Sequence, residues 1–275
     1  MCFMLNCDKV RADLRTSIFG RTLYCFQVID STNAYLLTLA RDGAPEGTVV
    51  QADFQTAGHG RQKRRWLSAP GQNLLFSILL KPELEIDYSK KIMLATAIIL
   101  ANTIENYLQA HQLDPVQISF KWPNDLLVNG RKLSGILAES ILRDKKIEAM
   151  VLGIGINLNE PVEKMPPEIR DIATSLRSIT GQSIDREEFL CMFMQEFEKN
   201  YERFERNFYD HVVDEWKERC DQFGQKVTIR TPFGEEIGII KDVNESGYLV
   251  YEDQKGVLKA LIAGEITKSN HVTDV

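Results

Sequence analysis

Residues 58–66 read GHGRQKRRW and carry Arg61, Lys63, Arg64 and Arg65 with no acid among them, in a chain of formal net charge -6. The chemistry such a cluster suits is anion binding. Guanidinium groups take carboxylate or phosphate oxygens two at a time, and a loop with Gly58 and Gly60 near its base can turn backbone N–H groups toward the same oxygens. A short basic run taken alone is more often a solvated hairpin. Trp66 shifts the balance, because an aromatic face beside phosphate-binding groups suits a nucleobase, although a single Trp is more often core. The second constellation is KWPNDLLVNGRKLSG, residues 121–135. Pro123 blocks regular strand pairing, so the chain bends there and aims Lys121, Asn124 and Asp125 into one cleft. The Asn129-Gly130 pair is a strong hairpin signal. A two-residue turn at that point pairs Val128 with Arg131, Leu127 with Lys132, Leu126 with Leu133 and Asp125 with Ser134. Asp125 and Lys132 then share a face, a carboxylate diagonal to an amine. A strand lysine is commonly just exposed, but the small residues of KLSG leave space for a ligand beside Lys132.

Several elements must hold these groups. VIDSTNAYLLTLARDGAPEG (28–47) reads as a strand end and then a helix, capped by Ser31 or Thr32, with Leu36, Leu37 and Leu39 on its apolar face and Gly43 closing it. A β-branched, aromatic strand over 48–56 feeds the basic loop, and a second strand, 73–81, leaves it, so the loop is held at its ends and mobile in its middle. Apolar residues at helical spacing predict a buried helix over 92–113. A buried strand over 148–159 carries Gly153 and Gly155 where something approaches the backbone. Residues 185–221 read as helical, opening on Asp185 with Glu188 three positions later. From Phe223 onward, short β-rich runs alternate with Gly and Asn turns, the pattern of a small all-β barrel. The expected architecture is α+β: a mixed-sheet domain over 1–222 and a barrel over 223–275.

Composition narrows the function. A chain of 275 residues sits near the length at which one domain gives way to two. With 44% hydrophobic and 26% charged residues it reads as globular rather than disordered. No apolar run reaches the roughly 20 residues that span a bilayer, and the N-terminus lacks a signal-peptide pattern. A cytoplasmic protein with no membrane partner is expected. A sequence pI near 5.4 argues against nucleic acid as a partner, since that normally demands a basic face over a whole domain. Five scattered cysteines without a CxxC pair indicate neither a disulfide framework nor zinc and are expected to be reduced. Four ungrouped histidines supply no metal cluster, so any metal arrives with a phosphate ligand.

Four motifs, DSTN (30–33), QTAGHGRQKRRW (55–66), KWPNDLLVNGRKLSGILAE (121–139) and GIGINLN (153–159), occur in the order and approximate spacing of the biotin protein ligases. The resemblance runs from about Phe19 to Ile266 and includes a terminal SH3-like barrel behind a biotinyl/lipoyl ligase-like catalytic domain. It implies a two-step reaction. Biotin's carboxylate displaces pyrophosphate from ATP to give biotinyl-5'-AMP, and a lysine of a biotin carboxyl carrier protein, such as that of acetyl-CoA carboxylase, then displaces AMP. By that resemblance Ser31, Thr32, Asn33 and Gln55 hold the ureido end of biotin, and Gly58, His59 and Gly60 close over it. Gly135 and Gly153 let the backbone approach the ligand. Arg61 and Lys132 meet the carboxylate and the α-phosphate. Trp66 stacks on adenine, with Arg64, Lys121, Asn124 and Asn157 also at the nucleotide.

Catalytic work falls to Lys132, Arg61 and Asp125. The last either orients Lys132, helps hold Mg²⁺, or takes the proton of the incoming lysine. Mg²⁺ is expected to be held mainly by phosphates, with no protein ligand set.

The loop departs from the usual GRGRxGRxW pattern at His59 and Lys63, and His59 is mostly neutral near pH 7, which bears on how tightly biotin is held. With about 20 residues before the catalytic region, a ligase without the DNA-binding domain of repressor relatives is expected. The residues leave the oligomeric state open, a homodimer included. Two rivals stand beside this reading. A lipoate ligase shares the fold and the adenylation chemistry, whereas a nucleic-acid-binding module leaves Lys132, Asp125 and the buried glycines unused.

Overall fold

Alternating apolar residues build two sheets, and helices cover the larger one on both faces. The computed structural model describes residues 4–268 except 83, 86, 87, 145, 205–208, 232, 233 and 263. In chain order the elements are α1 (Cys7–Asp13), β1 (Leu23–Ile29), α2 (Thr32–Arg41), β2 (Val49–Gln55), β3 (Leu74–Leu80), α3 (Tyr88–Ala110), β4 (Ile118–Lys121), β5 (Asp125–Val128), β6 (Arg131–Arg143) and β7 (Lys146–Ile156). There follow α4 (Pro167–Arg170), α5 (Leu176–Thr180), α6 (Arg186–Phe204), α7 (Tyr209–Glu218), β8 (Lys226–Thr231), β9 (Gly234–Val243), β10 (Leu249–Asp253), β11 (Leu258–Leu261) and β12 (Glu265–Lys268).

The first sheet runs β1-β2-β3-β7-β6-β5-β4. Its β1–β2 pair is parallel and the rest antiparallel, which makes it mixed. Period-two alternation along β7 decides what lies on each face. Met150, Leu152, Ile154 and Ile156 join the main core with α3, α6 and α7. The opposite row begins with Ala149 and Val151, which pack with Leu36 of α2, Val50 and Leu79 in a second, smaller cluster. That row continues as Gly153 and Gly155, so beyond α2 this row of β7 carries no side chains and becomes part of the floor of a cleft.

The hairpin turn falls where predicted, with Asn129 and Gly130 at φ 51° and 72°, the left-handed pair that a type I′ turn requires. Val128 pairs with Arg131 and Leu127 with Lys132, but a β-bulge then sets Leu126 opposite Ser134 and Asp125 opposite Gly135. Leu133 is the extra, buried residue. The predicted pairs Leu126–Leu133 and Asp125–Ser134 are therefore displaced by one. The bulge has a use: it brings Lys132 and Gly135, three residues apart, onto one face, which an unbroken strand could not do.

Other boundaries differ too. The long helix begins at Tyr88 and stops at Ala110, with Gln112 just beyond in the left-handed region. The helical stretch predicted over 185–221 holds two helices, α6 and α7. Asp185 caps the first by accepting the Glu188 N–H at 2.9 Å. The structure also joins Cys7 of α1 to Cys25 of β1 as a disulfide, against the expectation that all the cysteines are reduced. The two cysteines stand 18 positions apart on separate elements, and nothing in the sequence signals their approach.

The second sheet, β11-β10-β9-β8-β12, is antiparallel throughout. It is tied to the first by the Trp122 indole, which donates to the Gly247 carbonyl at 3.0 Å. Among the described residues, no helix is long and apolar enough to cross a membrane.

Candidate active site

The cleft lies where the N-terminus of α2, the basic loop and the β5–β6 hairpin converge on the bare row of β7. At its deep end Ser31 caps α2, accepting from the Ala34 N–H at 3.4 Å. The Gln55 carbonyl oxygen takes the Thr32 backbone N–H at 2.7 Å and lies 3.1 Å from the Thr32 hydroxyl, with its amide nitrogen turned toward Gly58. Asn33 lies flat on Gly153, where a Cβ would come within 2.1 Å of its Oδ1. Trp66 rests on the next bare position, with a Cβ at Gly155 placed 2.6 Å from its ring. The same ring and the Lys132 ammonium press on Gly135, at 3.1 and 3.0 Å from a Cβ there. These glycines thus make room for side chains of the site itself.

Lys132 stands at the centre. Its Nζ lies 2.6 Å from Asp125 Oδ1 and 5.5 Å from the Trp66 ring centroid. Its backbone is gripped from a second direction, the N–H donating to Ile172 O at 2.8 Å and the carbonyl accepting from Thr174 N at 2.9 Å. Asn157 is hydrogen-bonded there as well, its amide donating to the Lys132 carbonyl at 3.4 Å.

The basic loop folds back on itself, with Gly60 N donating to Arg64 O at 2.7 Å and Trp66 N to Gly58 O at 2.9 Å. Its tip holds Gln62 and Lys63 in left-handed conformations, φ 53° and 59°. The second sheet anchors it: Arg64 is ion-paired with the buried Glu265 of β12, and Arg61 donates to the Gly264 carbonyl at 3.0 Å. With its amide turned over, Gln62 also donates to Glu265. Burial pushes the Arg61 guanidinium below its ordinary pKa, and the nearby Glu265 and Asp125 carboxylates oppose that. Among the described residues, Lys63, Arg65 and Lys121 have no carboxylate partner.

Of the residues singled out in the sequence, Ser31, Thr32, Asn33, Gln55, His59, Gly60, Arg61, Arg64, Trp66, Lys121, Asn124, Asp125, Lys132, Gly135 and Gly153 line this one cleft. Asn157 lines a second cleft of about 520 Å³ that shares Arg64, Trp66, Lys121, Asp125 and Lys132 with the first. Gly58 lines neither and packs under Gln55, where a Cβ would meet the amide nitrogen at 2.9 Å. The amide of Asn124 is occupied, donating to Ile136 O at 2.6 Å, so it fixes the bend at Pro123.

Residues 25–157 match the Biotin/lipoate A/B protein ligase family, and residues 223–269 match the biotin protein ligase C terminal domain. The bifunctional ligase/repressor BirA of Bacillus spizizenii is 33% identical over 255 residues, 93% of this chain and 77% of that protein. The chain belongs to the biotin protein ligase family. The biotin–[acetyl-CoA-carboxylase] ligase of Mycobacterium tuberculosis is 29% identical, covering 86% of this chain and 85% of its own. Among solved structures, the biotin protein ligase from Aquifex aeolicus in complex with biotin and ATP superposes with a TM-score of 0.73 at 29% identity, over 90% of this chain and 98% of that one.

Two parts of this ligase's site escaped sequence reasoning. Glu265 and Ser77 both touch it, Ser77 through hydrogen bonds to Thr32 and Asn33. Each stands in a plain β-rich run, and no local spacing distinguishes it from its neighbours. The two departures in the loop are accommodated without disruption. His59 pairs with Arg65 through its backbone. Lys63 takes the left-handed conformation in which glycine would be the easier residue.

Proposed function

We propose that the first cleft takes biotin, with its ureido head against Ser31–Asn33 and Gln55 and its carboxylate toward Lys132, and that the second takes ATP. The observation that carries this is the position of the Lys132 ammonium, in the wall shared by both clefts. A cation there can touch an acid in one cleft and a phosphate in the other. In the first step a biotin carboxylate oxygen bonds to the α-phosphorus and the bond to pyrophosphate breaks. Lys132 and Arg61 offset the charge that redistributes as this happens. The buried Trp66 N–H has no partner among the described residues and is a donor left for the nucleotide. Asn157 sits beside the same cleft.

In the second step a carrier lysine nitrogen bonds to the acyl carbon, AMP leaves, and the nitrogen's proton passes to Asp125, the carboxylate that lines both clefts. Mg²⁺ enters with the phosphates, because the carboxylates of the cleft are already engaged, Asp125 by Lys132 and Glu265 by Arg64.

The remaining features follow as parts of one proposal. Residues 1–222 form the catalytic domain and 223–275 the barrel, the partner is a biotin carboxyl carrier domain, and the enzyme works in the cytoplasm. Incubation with labelled biotin and a carboxyl-carrier domain tests it. Label is expected on the carrier only when ATP is present; label without ATP, or none with it, would refute the proposal.

A further inference from the structure

Behind Thr32 and Asn33, which line the biotin cleft, stand two side chains with no part in the steps above, Ser77 and Glu139, and both close on Asn33. Ser77 of β3 is fully buried and stands opposite Gly153. Its Oγ lies 2.6 Å from Asn33 Oδ1 and 2.7 Å from Thr32 Oγ1. Glu139 of β6 accepts from the Asn33 amide nitrogen at 2.7 Å.

Proton counting fixes the direction of this chain. A carboxylate only accepts and an amide oxygen only accepts, whereas a hydroxyl has one proton to give. Glu139 therefore pins the nitrogen end of Asn33, and the Ser77 proton goes to its oxygen. The one Thr32 proton then goes to an acceptor of the protein, Ser77 Oγ at 2.7 Å or Gln55 Oε1 at 3.1 Å. With that proton spent, Thr32 Oγ1 presents lone pairs to the cleft, and Asn33 Oδ1 keeps one of its own. The complement of two such acceptors is a ligand head carrying N–H donors, as a cyclic urea does. A head of carbon and sulfur has no donor to offer them.

We infer that Ser77 and Glu139 are positioning residues that set the proton direction of the head pocket, and through it the selection of a ureido head. The inference rests on the biotin reading given above. Truncating Glu139 removes the acceptor that pins the Asn33 nitrogen, and truncating Ser77 removes the donor that holds its oxygen; either frees Asn33 to turn over, so one acceptor becomes a donor facing a donor.

Steady-state ligation by the full chain tests this. Ser77→Ala and Glu139→Ala are expected to raise the KM for biotin about tenfold, the size of one lost buried hydrogen bond. The KM for ATP and kcat should stay within about twofold of the parent. Glu139→Gln should recover most of the loss, because its amide oxygen still accepts from Asn33. Desthiobiotin, which keeps the urea and lacks the thioether, should show the same losses. An unchanged biotin KM in both alanine variants, or an equal rise in the KM for ATP, would overturn the inference. Where Ser77→Ala does not fold, the Glu139 pair decides, since that side chain is only partly buried. Were the parent itself inactive with biotin, the proposed function would fall and take this inference with it. An active parent with indifferent variants sinks the inference alone.

Discussion

At the scale of single residues, the reaction centres on Lys132. Its side chain is about one-third exposed and, among the described residues, its ion pair is with Asp125, so removing it costs the fold little. Lys132→Ala is expected to lose adenylate formation by several orders of magnitude while its thermal midpoint stays near the parent's. Pyrophosphate release in single turnover, beside a melting curve, checks both halves. Lys132 was legible in the sequence because an Asn-Gly turn fixes its pairing with Leu127, and Asp125 was singled out beside it although the bulge moves its partner from Ser134 to Gly135. Ser77 and Glu139 were not, because what marks them is their distance from Asn33, 44 and 106 positions away.

Among the elements, the loop of residues 58–66 acts as a flap latched to a strand some two hundred positions further on. Glu265 is 7% exposed and engages Arg64, while its neighbour Gly264 accepts from Arg61. Replacing Glu265 with Ala leaves the flap tethered by its own hydrogen bonds and by Arg61 on the Gly264 carbonyl, with the Arg64 ion pair gone. Limited trypsin digestion should then cut within 61–65 several-fold faster, and biotinyl-AMP should escape to label bystander proteins. Equal cutting rates in parent and variant would contradict the latch. Arg61→Gly is expected to leak adenylate in the same way.

The flap's charge was plain in the sequence and its latch was not, since Glu265 there is one acid in an ordinary strand. The hairpin shows the same limit. Turn chemistry located Asn129 and Gly130, but the bulge at Leu133 answers to packing beneath the sheet, to which a pairing rule is blind.

For the whole molecule, two buried carboxylates, Asp53 and Glu198, join α6 to β2 and to the segment that precedes β1. Arg186 meets Asp53 at 2.9 Å with both side chains under 10% exposed, and Asp53 also accepts the Leu5 N–H. Breaking one partner of such a pair is expected to cost about 3–5 kcal/mol. Arg186→Ala should therefore lower the midpoint of urea unfolding clearly.

Glu198 is the second tie. Burial works against its charged form, but the N–H groups of Ser17, Phe19 and Ile18 together outweigh that and hold the carboxyl below its usual 4.5. A group depressed in the folded state contributes stability above its unfolded pKa and loses it as pH falls through the folded value. Stability should therefore decline below about pH 4.5, and Glu198→Gln should be less stable at neutral pH with a flatter acid limb.

The central claim, that one amine joins an acid site to a nucleotide site, is tested most directly by exchange of labelled pyrophosphate into ATP. The account predicts exchange that requires biotin, is not supported by lipoate, and vanishes in Lys132→Ala. Exchange by that variant at the parent's rate, or exchange indifferent to biotin, would contradict it.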